Sequence, residues 1–312
     1  MKKVLVVVGP TAVGKTKLAI DLAKHYNYEI ISGDSVAIYK RLDIGSAKPT
    51  VEEMDGVKHY LIDILDPKDN YSVKDFQDSA RKIIEESDKP CIISGGTGLY
   101  IESVLYNYEF NASQRDFSFA DKYKDYSNDE LYNLLLEKDP NIDREKLHPN
   151  NRKRVLRALE VNQELNQSIH SFNKKDEKVY DYFIIYLSME REKLYERIEK
   201  RVDLMIEDGL LNEVKSLYDD NIYPHAIGYK ELVPYFDGLI SLESAVDEIK
   251  KNTRHLAKRQ ETWFRNQMDT HFYDLTNKSH DDILNEIIKD VDGWLKSWKS
   301  IWLECLDVVN QH

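Results

Sequence analysis

Cysteine is nearly absent from this chain: Cys91 and Cys305 are the only two in 312 residues. Such a pair makes neither a disulfide framework nor a metal-ligand cluster, and a reducing cytoplasm is the expected setting. No apolar run approaches the roughly 20 residues of a membrane-spanning helix, so no membrane association is expected. Lys2 and Lys3 precede a short apolar run that stops at Gly9-Pro10, which reads as a first strand rather than a secretion signal. Internal repeats and low-complexity linkers are also missing. Positive charge is in deficit, with 44 Lys and Arg against 56 Asp and Glu and a net charge of −12. Taken alone, that balance argues against a nucleic-acid partner. Its distribution argues back. Arg152, Lys153, Arg154 and Arg157 cluster together, and Lys250, Lys251, Arg254, Lys258, Arg259 and Arg265 form a second basic stretch. Salt screens charges beyond about 8–10 Å, so local patches decide phosphate contacts.

What is present is more specific. The apolar run Val4–Val8 leads into Gly9-Pro-Thr-Ala-Val-Gly-Lys-Thr16, followed by an amphipathic stretch from Lys17 to Tyr26. Strand, glycine-rich loop and helix are the context a P-loop requires. Gly9, Pro10, Thr11, Ala12, Val13 and Gly14 supply backbone to cradle a phosphate or diphosphate. Lys15 adds a point charge, and the Thr16 hydroxyl can hold Mg²⁺. By motif alone this is a nucleotide-binding, ATP-type loop. It does not say whether the diphosphate is energy source, phosphoryl donor or leaving group.

Along the chain, strands over Tyr28–Ser32, Tyr60–Ile64 and Cys91–Ser94 alternate with helices, including Val73–Glu86 with Phe76, Ala80, Ile83 and Ile84 on one face. Such βαβ repetition implies an α/β fold: a P-loop NTPase-like parallel sheet flanked by helices, with ligands at the carboxyl ends of its strands. Strand signals vanish between Asn111 and Tyr180, where polar helical runs cover Asp129–Lys138 and Asn151–Asn166. Residues 111–180 are therefore an α-helical insertion domain, and 1–110 with 181–312 form the core domain. Tyr182–Leu187 should return to the sheet. Helices follow over Arg191–Asp208, Leu210–Tyr218 and Leu242–Phe264. A last amphipathic helix, Asp281–Val309, carries Trp294, Trp298 and Trp302 toward the body.

Asp34 ends the second strand and should enter the same crevice as the P-loop. It could bind Mg²⁺, accept a proton or hydrogen-bond a nucleophile; equally, it could close an Asx-turn or cap a helix. Gly95-Gly-Thr-Gly98 follows another strand without the acidic residue that a phosphate-hydrolysing P-loop enzyme places there. Thr97 offers only a hydroxyl and nearby amides, which suits holding an anion without activating water. Arg197 and Arg201 share a helical face, where one could neutralise a leaving diphosphate or simply pair with Glu in solvent. The helix that starts after His148-Pro-Asn-Asn carries the first basic patch, which is a nucleic-acid footprint or a solvated surface. Within Thr253–Arg265, Leu256, Ala257, Trp263 and Phe264 read as the buried stripe, leaving the cations to meet phosphate.

The motifs Gly9–Thr16, Asp34–Tyr39, Asp43–Pro49, Gly95–Tyr100, His148–Glu160, Arg201–Met205, Ala226–Glu231 and Thr253–Arg265 occur in this order over most of the chain. The set resembles the bacterial tRNA dimethylallyltransferase (isopentenyl-tRNA transferase) family. That resemblance implies transfer of a dimethylallyl group from dimethylallyl diphosphate to N6 of adenine 37, beside the anticodon of tRNA. It implies that Asp34, Thr97 and Arg201 are catalytic: Asp34 as base or acceptor for the amine, Thr97 and Arg201 on the diphosphate. It implies that Gly9–Thr16 bind the diphosphate and Thr16 the Mg²⁺. It also implies tRNA contacts at Asp34, Ser35, Val36, Ala37 and Thr97, at Lys153, Arg154, Val155, Leu156 and Arg157, and along the stretch Thr253–Gln260 with Arg254, Lys258 and Arg259. In the family a longer helix with a tRNA-contacting arginine often stands between Asn111 and Asp129, where this chain has Phe117-Ser-Phe-Ala-Asp121. Ser46 replaces a threonine common in the family and keeps the hydroxyl. A monomer is the default expectation.

Other readings fit parts of this pattern. A small-molecule or nucleotide kinase shares the P-loop and the Asp after the second strand, but has no use for two basic helices. A prenyltransferase of free adenine nucleotides has no need of the insertion. A catalytically silent tRNA-binding protein would not need Asp34, Lys15 and Arg201.

Overall fold

The computed structural model describes residues 1–107, 118–145, 147–169 and 177–309, with side chains as far as residue 296. It divides into two compact units, one of residues 1–105 and 180–312, the other of Tyr106–Val179.

The larger unit is built on a six-stranded sheet. Its strands are β1 (Lys3–Val8), β2 (Glu29–Ser32), β3 (His59–Tyr60), β4 (Cys91–Gly95), β5 (Asp181–Ser188) and β6 (His271–Asp274). The order is β3-β2-β4-β1-β5-β6, and every neighbouring pair is parallel. Val4 to Val8 are all fully buried, because a central parallel strand is covered on both faces and needs no polar alternation. As expected, Tyr182–Leu187 rejoins the sheet, aligned with β1 from Val4↔Tyr182 to Val8↔Tyr186. The expected third strand is shorter than Tyr60–Ile64. Leu61 and Asp63 adopt left-handed φ values of 61° and 55°, which end the pairing after Tyr60.

Helices α1 (Lys15–Tyr26), α2 (Val51–Met54), α3 (Val73–Glu86) and α4 (Gly98–Leu105) punctuate the first half of this unit. α3 begins with a reciprocal capping box between Ser72 and Asp75 and buries Phe76, Ala80 and Ile84, while Ile83 is half-buried. Its Arg81 donates to the carbonyls of Ser103 and Val104, which satisfies acceptors left open at the end of α4.

In the Tyr106–Val179 unit, α5 (Asn128–Lys138) and α6 (Arg152–Leu165) pack through Leu131, Leu135, Val155, Ala158 and Leu159, with Phe119, Ile142 and Leu147 completing the core. No strand occurs among its described residues apart from the isolated bridge Tyr106↔Lys178. The expected boundary at residue 111 and residues 111–117 lie outside the described residues. A short 3-10 helix, Phe119–Tyr123, follows them.

After β5 come α7 (Arg191–Glu207), α8 (Leu210–Asp219), α9 (Val233–Phe236), α10 (Leu242–Gln267) and, beyond β6, α11 (His280–Val309). α7, α8 and α10 enclose a second core of Val202, Leu210, Val214, Leu217, Tyr229 and Ile249, joined by Leu42 from the far side of the chain. α11 packs on the sheet as expected. Trp294 lies against Phe183 and donates Nε1–H to Asp181, while Ile283, Ile287 and Val291 enter the core. The side chains of Trp298 and Trp302 lie outside the described residues.

Candidate active site

The sheet carries its loops to one end, and the cleft there is lined by Thr11, Lys15, Thr16, Asp34, Gly96 and Arg201, with Ser46 to Pro49 and His59 around them. Thr11, Lys15, Thr16, Asp34 and Gly96 follow the carboxyl ends of β1, β2 and β4, where an open parallel sheet binds its ligands, and Arg201 comes from α7.

The P-loop is held by its surroundings. Gly9 has φ 151°, and a Cβ there would lie 2.5 Å from the Leu187 carbonyl oxygen on β5. Ala12 is left-handed at φ 65°, a strained conformation that curls the loop above the start of α1. Lys15 Nζ donates back to the Pro10 carbonyl at 2.8 Å. Burial, and then the neighbouring Arg201, lower the Lys15 pKa to about 7, with Asp34 opposing them. Arg201 is likewise pulled down by burial, and Asp34 and Glu53 partly restore it. Two cations crowded into a desolvated site favour an anionic guest, because the guest relieves both the repulsion and the lost hydration. Arg201 Nη1 lies 3.5 Å from Thr11 Oγ1, which brings the α7 arginine to the loop.

Asp34 settles between its alternatives by doing one and permitting the other. Oδ1 accepts the Val36 N–H at 2.7 Å and the Ala37 N–H at 3.3 Å, so an Asx-turn does form. Oδ2 has no hydrogen bond among the described residues. The turn fixes the rotamer and leaves one carboxylate oxygen for a ligand. Thr97 stands at the start of α4, its Oγ1 3.5 Å from Ser35 Oγ, and its N–H donates to the Gly33 carbonyl. Thus Asp34, Ser35, Thr97, Lys15 and Arg201, distant in sequence, meet at one end of the sheet. Val36 packs toward the Leu42 core, and Ala37 is buried and lines the cleft.

Lys48, His59 and Gln260 also belong here; Lys48 and Gln260 fall within the motifs Asp43–Pro49 and Thr253–Arg265, but the sequence assigned none of the three a role at this cleft. Lys48 is almost fully buried, paired with Asp43 and Asp63 and donating to the Tyr39 carbonyl. Its charge is therefore spent on the loop rather than offered to an anion. His59 places Nδ1 2.9 Å from the Val57 carbonyl oxygen, and burial lowers its pKa, so it presents a neutral ring. Gln260 on α10 accepts the Thr11 N–H and donates to the Gly96 carbonyl. A glutamine within a basic stretch carries no signal of its own. Only packing reveals it.

The basic patches are less uniform than the sequence suggests. In the helical unit, Arg152 is bound to the carbonyls of Tyr123 and Tyr126, and Arg157 pairs with the buried Glu160. Val155 is fully buried and Leu156 packs beside it, so along residues 153–157 it is Lys153 and Arg154 that present exposed cationic heads. On α10, Arg254 pairs with Glu199, whereas Lys258 and Arg259 are exposed without an ion-pair partner among the described residues. The expected stripe is half right: Ala257 and Phe264 are buried, but Leu256 and Trp263 only partly.

For Mg²⁺, the donors fit. The Thr16 hydroxyl and the Asp34 carboxylate line one cleft as hard oxygen ligands. The described residues hold no group of three or more His, Cys, Asp or Glu that could form an all-protein cage, and this ion commonly completes its shell with phosphate oxygens and water.

The ordered loops, the parallel sheet and the arginine brought across from α7 define a P-loop enzyme without an acidic residue after β4. Comparison with known proteins gives the family. The family described as IPP transferase matches residues 37–267. A tRNA dimethylallyltransferase of Anoxybacillus flavithermus is 46% identical over 94% of this chain and 97% of its own length. One from Bacillus licheniformis is 49% identical over 88% and 91%. Among solved structures, the tRNA isopentenylpyrophosphate transferase of Bacillus halodurans superposes with a TM-score of 0.74 at 41% identity, covering 96% of this chain and 99% of that one. A eukaryotic dimethylallyltransferase acting on tRNA gives 0.76 at 30% identity, over 89% and 75%. The chain belongs to the IPP transferase family.

Proposed function

We propose that this chain transfers a dimethylallyl group from dimethylallyl diphosphate to N6 of adenine 37 in tRNA, releasing diphosphate. The observation that carries the proposal is the meeting of Asp34, with one uncommitted carboxylate oxygen, and the Lys15–Arg201 cradle in a single cleft. Family membership and the lack of an acidic residue after β4 support prenyl transfer over phosphate hydrolysis.

The chemistry divides between the two halves of the cleft. The exocyclic amine of adenine is a weak nucleophile, because its lone pair is delocalised into the ring. Asp34 Oδ2 accepts a hydrogen bond from N6 and then its proton as N6 attacks C1 of the dimethylallyl group. The C1–O bond breaks, and its electron pair leaves on the diphosphate. The P-loop amides, Lys15, Arg201 and the Thr97 hydroxyl receive the developing charge. Mg²⁺, held by Thr16 and the diphosphate, would neutralise part of that charge. The target adenine has to leave the anticodon stack to reach the cleft, as bases do for enzymes that act on them. Lys153, Arg154, Lys258 and Arg259 bind the tRNA backbone, with the helical unit contributing to this grip. The chain acts as a monomer in the cytoplasm, where its substrate is found and the buried free thiol of Cys91 is at home.

Incubation with dimethylallyl diphosphate, Mg²⁺ and unmodified tRNA, followed by mass analysis of nucleosides, should yield prenylated adenosine. Its absence, or ATP-dependent phosphorylation of a metabolite, would overturn the proposal.

A further inference from the structure

The P-loop and the glycine-rich turn after β4 are not bonded to one another directly where Gln260 stands between them. Its Oε1 accepts the Thr11 N–H at 2.8 Å, and its Nε2 donates to the Gly96 carbonyl at 3.1 Å. The fit is tight. A Cβ on Gly96 would fall 2.1 Å from Gln260 Nε2, and one on Gly98 would fall 2.1 Å from the Trp263 ring. Gly98 is thus constrained by the Trp263 ring of α10, and a side chain at Gly96 would push the Gln260 amide out of its place. The Thr11 hydroxyl lies 3.5 Å from Arg201 Nη1. Two and one residues before Gln260 on the same helix, Lys258 and Arg259 are exposed and unpaired among the described residues. A helix is stiff over one turn, so a displacement at Lys258 and Arg259 carries Gln260 with it.

We propose that Gln260 is a positioning residue that couples engagement of tRNA phosphate by α10 to the geometry of the diphosphate cradle. It does so by fixing the separation of the P-loop and the Gly95–Gly98 turn. The amide suits this task chemically. One end accepts and the other donates, as the two loops require, and neither end places a negative charge beside the diphosphate. Only the choice of diphosphate and tRNA as the two ligands rests on the prenyl-transfer reading.

The test compares the full-length wild type with Gln260→Met, which keeps the volume and loses both bonds, and Gln260→Glu, which keeps the acceptor but loses the donor. Affinity for inorganic diphosphate with Mg²⁺ is measured by calorimetry with and without unmodified tRNA, alongside kcat and KM. In the wild type, tRNA should tighten diphosphate binding at least about fivefold, the lower end of ordinary coupling. Gln260→Met should bring that factor to within about twofold of unity and leave affinity for tRNA alone within about twofold. Gln260→Glu should weaken diphosphate binding even with its bond to Thr11 retained. Wild-type coupling that survives in Gln260→Met, or no coupling in the wild type, overturns the proposed role. If Gln260→Met does not fold, Gln260→Glu decides by the same two measurements; if neither folds, Gln260 is structural, and the coupling role is overturned as well. A wild type that couples diphosphate to tRNA but makes no prenylated adenosine defeats the functional reading and leaves this one standing.

Discussion

Asp34 commits Oδ1 to the amides of Val36 and Ala37, and Oδ2 is left for a ligand. Substitutions can separate these tasks. Asp34→Asn retains an acceptor for the turn but cannot take a proton, so turnover should fall by about 10²–10⁴ with stability and tRNA affinity nearly unchanged. Near-normal turnover in a single-turnover assay would remove Asp34 from the chemistry. Lys15 offers a second residue-scale prediction. Its pKa is near 7 in the ligand-free cleft, and a bound diphosphate raises it. Between the two values binding takes up a proton, so affinity should decline as pH rises above about 7, and below that it should be flat in this group. Calorimetry of diphosphate binding at about pH 8 in buffers of different ionisation enthalpy should detect the uptake. In Lys15→Arg, which stays charged, the uptake should disappear; an identical uptake would place the proton elsewhere. The placement of Asp34, Lys15 and Thr97 at the strand ends was legible in the sequence because their motifs are local. The tie from Gln260 was not, since its partners Thr11 and Gly96 lie far along the chain; nor was the burial of Lys48, which depends on how its loop folds to bring Tyr39, Asp43 and Asp63 around it.

Helices and loops set the precision of the cleft. One carboxylate on α8, Glu213, accepts the N–H groups of Asp43, Ile44 and Gly45 and the Tyr229 hydroxyl. Tyr229 has its pKa pushed up by burial and then by Glu213, so it remains a phenol that donates. Gly45 lies so close to Tyr229 that an added Cβ would be 2.6 Å from the ring. Glu213→Ala should cost about 1–3 kcal/mol of stability in urea unfolding, since several donors lose their acceptor at once. No change would mean that water replaces the carboxylate without loss. On α6, Lys153→Ala with Arg154→Ala should lower the salt slope of tRNA binding by about one for each phosphate no longer neutralised, without unfolding the unit. Arg152→Ala should instead destabilise the unit, because its guanidinium holds two backbone carbonyls. Equal salt slopes in wild type and the double variant would show that this helix faces away from RNA. Elements with a clear period, such as α3, were legible in the sequence. α4 was not, because Tyr100 to Leu105 are all buried and a helix covered on most sides shows no polar face. β6 was missed for the opposite reason: it is a four-residue edge strand with Tyr273 as its buried position.

At the scale of the molecule, residues 106–179 leave and re-enter the larger unit between Leu105 and Tyr180. Their own ends are paired by Tyr106↔Lys178 and by the Asn107 N–H on the Glu177 carbonyl. Replacing 106–179 with a short glycine-serine linker should leave a folded core that binds diphosphate as the full chain does. Its affinity for tRNA should drop at least about tenfold, because the cations of α6 no longer neutralise phosphates. An unchanged tRNA affinity in a filter-binding titration would assign recognition wholly to the core. The sequence by itself determined the parallel α/β core, the strand, glycine-rich loop and helix at its start, and the change to helix in the middle of the chain. Those follow from local spacing: glycines and a lysine between strand and helix, and hydrophobic periods of known length. Tertiary structure alone decided which cations are available, that Arg201 reaches Thr11 and that one glutamine joins two loops. Apart from the local pair Arg157–Glu160, each of those depends on which distant residue neutralises, buries or hydrogen-bonds a side chain, and spacing along the chain does not encode that choice.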